Sequence, residues 1–125
     1  MIKIVMVGLG GAMGAMCRYL VYEGYINAVK DEPLPLGTIT VNVLGCFIIG
    51  FLGGLADARQ IFPPEIRLLI FTGFLGGFTT FSTFGFELFL YMRNGQIGLA
   101  ILNGLIQLCA GLVFVWAGFM LSKAF

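Results

Sequence analysis

"GGFTTFSTFGF", residues 76–86, opens on two glycines, carries four hydroxyl side chains and spaces Phe78, Phe81 and Phe84 three residues apart. It lies near the midpoint of the apolar run from Pro64 to Met92. Gly76-Gly77 followed by Thr79-Thr80 is weak helix material. Unpaired backbone groups cost several kcal/mol each in hydrocarbon, so irregular backbone survives there only when buried in protein or lining a wet cavity. Two local structures fit the residues. In one the helix breaks, and the freed carbonyls of Gly76 to Thr79 suit a small cation such as Na⁺. In the other it continues, with Ser and Thr hydroxyls bonded back to preceding carbonyls. The break is the expectation adopted here.

The rest of the chain supports the membrane setting. Of 125 residues, 59% are hydrophobic and 10% charged, too few charges to cover a soluble domain of this length. Net charge is +1 with no charged block, which argues against a nucleic-acid partner. The chain has no histidine, and no nucleophile–base pairing is recognisable, so an enzyme is not expected. Cys17, Cys46 and Cys109 are dispersed in apolar runs and read as small packing residues rather than a disulfide framework.

Four spans, approximately Ile2–Tyr25, Leu36–Ala56, Pro64–Met92 and Gly95–Lys123, are each long enough to cross about 30 Å of hydrocarbon. They make one four-helix transmembrane domain over residues 1–125, with both termini on one side. Short links predict that consecutive helices are antiparallel neighbours. Lys3, Arg59, Arg67 and Lys123 fall on the terminal side, against Lys30, Arg93 and Arg18 on the other. Four against three gives little orientation preference. Such a chain is able to insert both ways and form an antiparallel dimer. Gly10/Gly14, Gly11/Ala15, Gly50/Gly54, Gly73/Gly77 and Ala100/Gly104 repeat at four-residue spacing, which favours close helix packing.

Polar side chains inside the spans are the functional candidates. Phe81 and Phe84 share a helix face, and an aromatic ring turned edge-on presents positive charge to an anion. Ser82, Thr83 and Thr80 place hydroxyl donors beside them. Asn42 lies roughly 9 Å into the second span at 1.5 Å per residue. Asn103 and Gln107, four apart on the fourth span, point the same way. Glu87 and Arg18 are intramembrane charges, expected to line entrance vestibules or to pair with each other.

"GGAMGAMCRY" (10–19), "PLGTITVNVLGCFIIG" (35–50) and "GFLGGFTTFSTFGFE" (73–87) closely resemble the Fluc (CrcB-like) fluoride channels over essentially the whole chain. The resemblance implies an all-α membrane protein of four helices per subunit with a break in the third, assembled as an antiparallel, dual-topology homodimer. It also implies passive fluoride export across the plasma (inner) membrane and a structural Na⁺. By motif, Phe81 and Phe84 match the paired pore phenylalanines and Asn42 the pore asparagine. Thr38 and Ser82 match hydroxyl positions near the path, and the carbonyls of Gly76 and Thr79 match the sodium-binding turn. Gln107 falls on a polar track of the fourth span, whereas Gly111, one turn on, departs from the hydroxyl expected there. Rival readings are a small multidrug exporter and a non-conducting assembly subunit. The exporter needs a carboxylate deep in the first span, where this chain has Arg18 and only a late Glu23. The assembly subunit leaves the third-span cluster without a purpose.

Overall fold

The computed structural model describes residues 1–29, 32–59 and 62–125, apart from the side chains of Ala58 and Arg59. Lys30 and the Arg59 side chain, both used in the charge balance, therefore lie outside the described residues. Among the described residues the chain is helical, without strands. Helix α1 is Ile2–Ala28 and α2 is Leu36–Arg59. The third span, Pro64–Arg93, is composite: α3 (Pro64–Arg67), a π-helix (Leu68–Leu75), α4 (Gly76–Phe78) and α5 (Phe81–Arg93). Helix α6 is Ile97–Ser122. Four spans are long and apolar enough to cross a membrane.

Local chemistry sets the ends. Pro64 occupies the first helical turn, where its missing N–H costs nothing. The Pro35 carbonyl accepts the Ile39 amide at 3.0 Å, so α2 also starts beside a proline. Gly95, placed in the fourth span by its apolar context, instead lies in the turn before α6 with φ 72°. That left-handed conformation suits glycine, and the helix starts two residues later.

The packing differs from the neighbour rule. The main interfaces join alternate spans: α1 with the π-helix and α4, and α2 with α6. Short links fix direction but not which helices share the larger surface. Glycine decides that. A methyl group at Gly14 would fall on the Phe74 carbonyl, and one at Gly50 on the Val115 carbonyl. Backbone meets backbone at both crossings, so dispersion contacts replace side-chain interdigitation. Ala100/Gly104 does no such work, since an added methyl at Gly104 would touch only the Leu88 side chain, near 4 Å.

The third span changes partner midway. Its first half lies on α1, whereas α5 packs on α6. Between them Thr79 (φ −86°, ψ 164°) and Thr80 (φ −151°, ψ 117°) are extended. The fully buried larger side chains are Val41 and Asn103, and Thr38, Thr80 and Gln107 are buried as well. Apolar side chains face outward all round. The interior mixes polar side chains with Val41, Ala56, Leu75, Phe78 and Ala100.

Candidate functional site

The two extended residues at Thr79–Thr80 free backbone groups, and the second span supplies their partner. Thr80 N–H donates to Asn42 Oδ1 at 2.9 Å, and Asn42 Nδ2 donates back to the Thr80 carbonyl at 3.1 Å. The Asn42 amide thus pairs with Thr80 as another strand would. Thr80 Oγ1 accepts the Thr83 N–H at 3.2 Å and lies 2.9 Å from Thr83 Oγ1, capping α5. An unbroken helix would give the Thr80 amide to the Gly76 carbonyl and the Thr83 amide to the Thr79 carbonyl. Both donors are spent elsewhere. The Gly76 and Thr79 carbonyls, the pair expected to hold Na⁺, thereby lose their helical donors. Gly76 lies in the last turn of a helical half, where the backbone dipole is negative, and Thr79 is the extended residue just beyond it. Two freed carbonyl oxygens fit a small hard cation.

The Thr79 carbonyl has acquired another donor, Arg18 Nη1 at 3.2 Å. Arg18 does not pair with Glu87. Glu87 Oε1 instead accepts the Thr38 hydroxyl at 2.5 Å. The Thr38 proton is committed there, so Tyr22 donates its hydroxyl to Thr38 Oγ1 at 3.1 Å. A hydroxyl on a neighbouring span satisfies the carboxylate at less desolvation cost than burying a second charge.

A polar line crosses the subunit through these groups. Asn42 Nδ2 also donates to Gln107 Oε1 at 2.6 Å, and Gln107 Nε2 donates to Asn103 Oδ1 at 2.9 Å. Asn103 Nδ2 and Glu87 Oε2 are buried without partners. Asn103 lies within interaction range of the Glu87 carboxylate without meeting hydrogen-bond geometry. The line thus runs from Tyr22, Thr38 and Glu87 through Asn103, Gln107 and Asn42 to Thr80, with one open joint.

Two cavities flank this line. One, about 330 Å³, is lined by Asn42, Gly76, Thr79, Thr80, Phe81 and Phe84. The other, about 250 Å³, includes Tyr22, Tyr25, Glu32, Thr38 and Glu87. Phe81 is 84% exposed on the subunit, and its ring centroid stands 5.9 Å from that of Phe84, tilted by 56°. Thr38 thus belongs to the second cavity rather than to the phenylalanines. Ser82 is exposed, and the hydrogen-bond network leaves it out. Cys46 also lines the first cavity, and its sulfur stands 3.3 Å from where a Gly111 side chain would begin. The residue missing from the fourth span is filled from the second.

Sequence reasoning passed over Tyr22, whose signal was its place one turn beyond Arg18 on the same face. It noted that Asn103 shares a face with Gln107 but gave only Gln107 a place on the polar track, although Asn103 is 0% exposed.

Comparison with known proteins fits this arrangement. The family model described as CrcB-like protein, Camphor Resistance (CrcB), matches residues 5–119. The chain belongs to the CrcB family. Among CrcB relatives, one from Methylobacillus flagellatus, named a fluoride-specific ion channel FluC, is 42% identical over 98% of this chain and 96% of its own length. Relatives of the same name from Nitratidesulfovibrio vulgaris and Citrifermentans bemidjiense are 44% and 40% identical, covering 93% and 98% of this chain and the same shares of their own lengths. The CrcB match spans all four helices, so the extended Thr79–Thr80 pair and the polar line both lie inside the matched length.

Proposed function

We propose that this chain forms a fluoride-selective channel that exports F⁻ passively across the plasma membrane and relieves fluoride toxicity. The observation that carries the reading is the 330 Å³ cavity, where an amide, hydroxyls and two phenylalanine rings converge on broken backbone at mid-membrane. Removing a small anion from water costs tens of kcal/mol in a low-dielectric site, so a pathway must replace its hydration with aimed donors. The Asn42 amide lines this cavity with Gln107 bonded behind it, and their N–H groups reach an anion by exchanging their present acceptors. Thr83 and Ser82 add O–H groups, Ser82 at the exposed edge, while the Thr38 hydroxyl stays bound to Glu87 in the second cavity. Phe81 and Phe84 supply polarised ring edges without water or formal charge. These weak, neutral donors bind without trapping, which lets an ion move on. Fluoride is small and a strong hydrogen-bond acceptor, so it gains more from such donors than chloride does. A membrane potential negative inside drives any anion outward by about 2.3 kcal/mol per charge per 100 mV.

The same reading includes an antiparallel homodimer of dual topology. It is supported by the balanced cations in the sequence, by exposed Phe81 and by a cavity that opens on the subunit surface at Gly76. Gly76 and Thr79 would hold a structural Na⁺ through their carbonyls, and a bound Na⁺ supplies a fixed positive charge that ties the halves of the third span together. Glu87 and Arg18 sit beside the path, each held by a neutral partner.

Proteoliposomes containing the purified protein test the function. With a potassium ionophore to balance charge, fluoride leaves rapidly while chloride stays inside. Chloride efflux comparable to fluoride efflux, or no fluoride efflux, overturns the proposal.

A further inference from the structure

Arg18 lies well inside the first span, and among the described residues it meets no carboxylate. Its Nη1 donates to the Thr79 carbonyl, one of the oxygens left without helical donors between α4 and α5. We propose that Arg18 is an internal substitute cation: its guanidinium and a bound monovalent cation compete for the Thr79 carbonyl, and binding the cation displaces Arg18. This rests on the sodium reading given above.

The argument is electrostatic. A carbonyl oxygen has two lone pairs, so two donors fit sterically. Two positive charges sharing one oxygen in a medium of low effective dielectric nonetheless repel strongly, and each weakens the other's hold. At 3.2 Å the guanidinium bond is at the long end of its kind, hence replaceable. A guanidinium cannot shed its charge to relieve the conflict, so relief comes by moving. The long, flexible side chain makes that movement cheap relative to moving backbone. Without the cation, Arg18 keeps the Thr79 carbonyl from standing unpaired inside the bilayer, which would cost several kcal/mol in any buried site.

A bond that merely pinned the first span to the third would stabilise the protein equally at every sodium concentration. Competition instead shifts the sodium midpoint. The test measures thermal unfolding of the purified protein against sodium chloride, with N-methyl-D-glucamine chloride holding ionic strength constant. Wild type, Arg18→Gln and Arg18→Lys are compared. Removing the charge lowers the stabilising sodium midpoint at least tenfold, about 1.4 kcal/mol, whereas Lys, which keeps the charge, leaves it near wild type. An unchanged or higher midpoint in Arg18→Gln, with a sodium-responsive wild type, overturns the competition alone. A shift in Arg18→Lys as large as in Arg18→Gln also overturns it, since charge would not be the cause. A wild type indifferent to sodium overturns the sodium reading and this inference together. Should Arg18→Gln fail to assemble, the ¹⁵N resonance of the wild-type Arg18 guanidinium is followed through the same titration. It moves with the stability midpoint, and a resonance that sodium leaves unmoved refutes the displacement.

Discussion

Asn42→Ala is the perturbation that reaches furthest into the site. It removes three hydrogen bonds: two with Thr80 and one with Gln107. Interhelical side-chain bonds in a bilayer average about 0.6 kcal/mol and reach about 1.7, so the direct loss is about 2 and at most about 5 kcal/mol. The backbone partly recovers, because the Thr80 amide, released from Asn42, is free to return to the Gly76 carbonyl. That rearrangement restores part of the helical ladder and removes the freed Gly76 carbonyl, one of the pair proposed to hold Na⁺. The variant should therefore show a modest loss of stability together with a loss of sodium-dependent stabilisation and of fluoride efflux. Sodium titrations of thermal unfolding and efflux from proteoliposomes check both parts. If Asn42→Ala keeps wild-type sodium dependence and efflux, Asn42 does not hold the break open, and the pairing with Thr80 is incidental.

Phe81→Ile and Phe84→Ile keep apolar bulk but lose the ring edge; at about 1.5 kcal/mol for the aromatic contribution, fluoride efflux falls about tenfold while the dimer survives size exclusion. Wild-type efflux would make them packing residues. Gly14→Ala drives a methyl group into the Phe74 carbonyl and costs about 1–3 kcal/mol in reversible unfolding, whereas Gly8→Ala, with nothing within 4 Å, stays within about 0.5 kcal/mol of wild type. Equal stabilities would refute the glycine-set crossing. Gly76 has ordinary helical dihedrals (φ −63°, ψ −34°) and open space around it, so Gly76→Val leaves the subunit folded and weakens dimer retention only if a second copy covers that surface. A dimer untouched by valine contradicts that coverage. In a background without Cys17, Cys46 and Cys109, a cysteine placed at either terminus is labelled from one side in about half of the copies if both orientations coexist; a single protected terminus in every copy rules that out.

What the sequence made legible followed from which residues carry information in a bilayer. The four spans could be read from length and apolarity, because the hydrocarbon sets both. Partner choice could not. In a soluble helix the apolar stripe points inward, but here apolar side chains suit lipid and interior alike. The inward face is marked by polar residues and glycine. Thr38 and Asn42, and Asn103 and Gln107, each four apart, report the inner faces of α2 and α6 correctly. Ala100/Gly104 has the same spacing as Gly10/Gly14 but falls where side chains, not backbones, meet. The π-helical turn at Leu68–Leu75 has no compositional mark, and it arises where the third span rests on the glycine face of α1. Arg18 and Glu87 looked like mutual partners because charge invites pairing by sign. Within the bundle, position decided instead: a threonine hydroxyl reached the acid, and a carbonyl loosened by the break reached the base. The charge on Arg18 is consequently held by a dipole rather than an ion, and its energy depends on whatever else approaches the Thr79 oxygen.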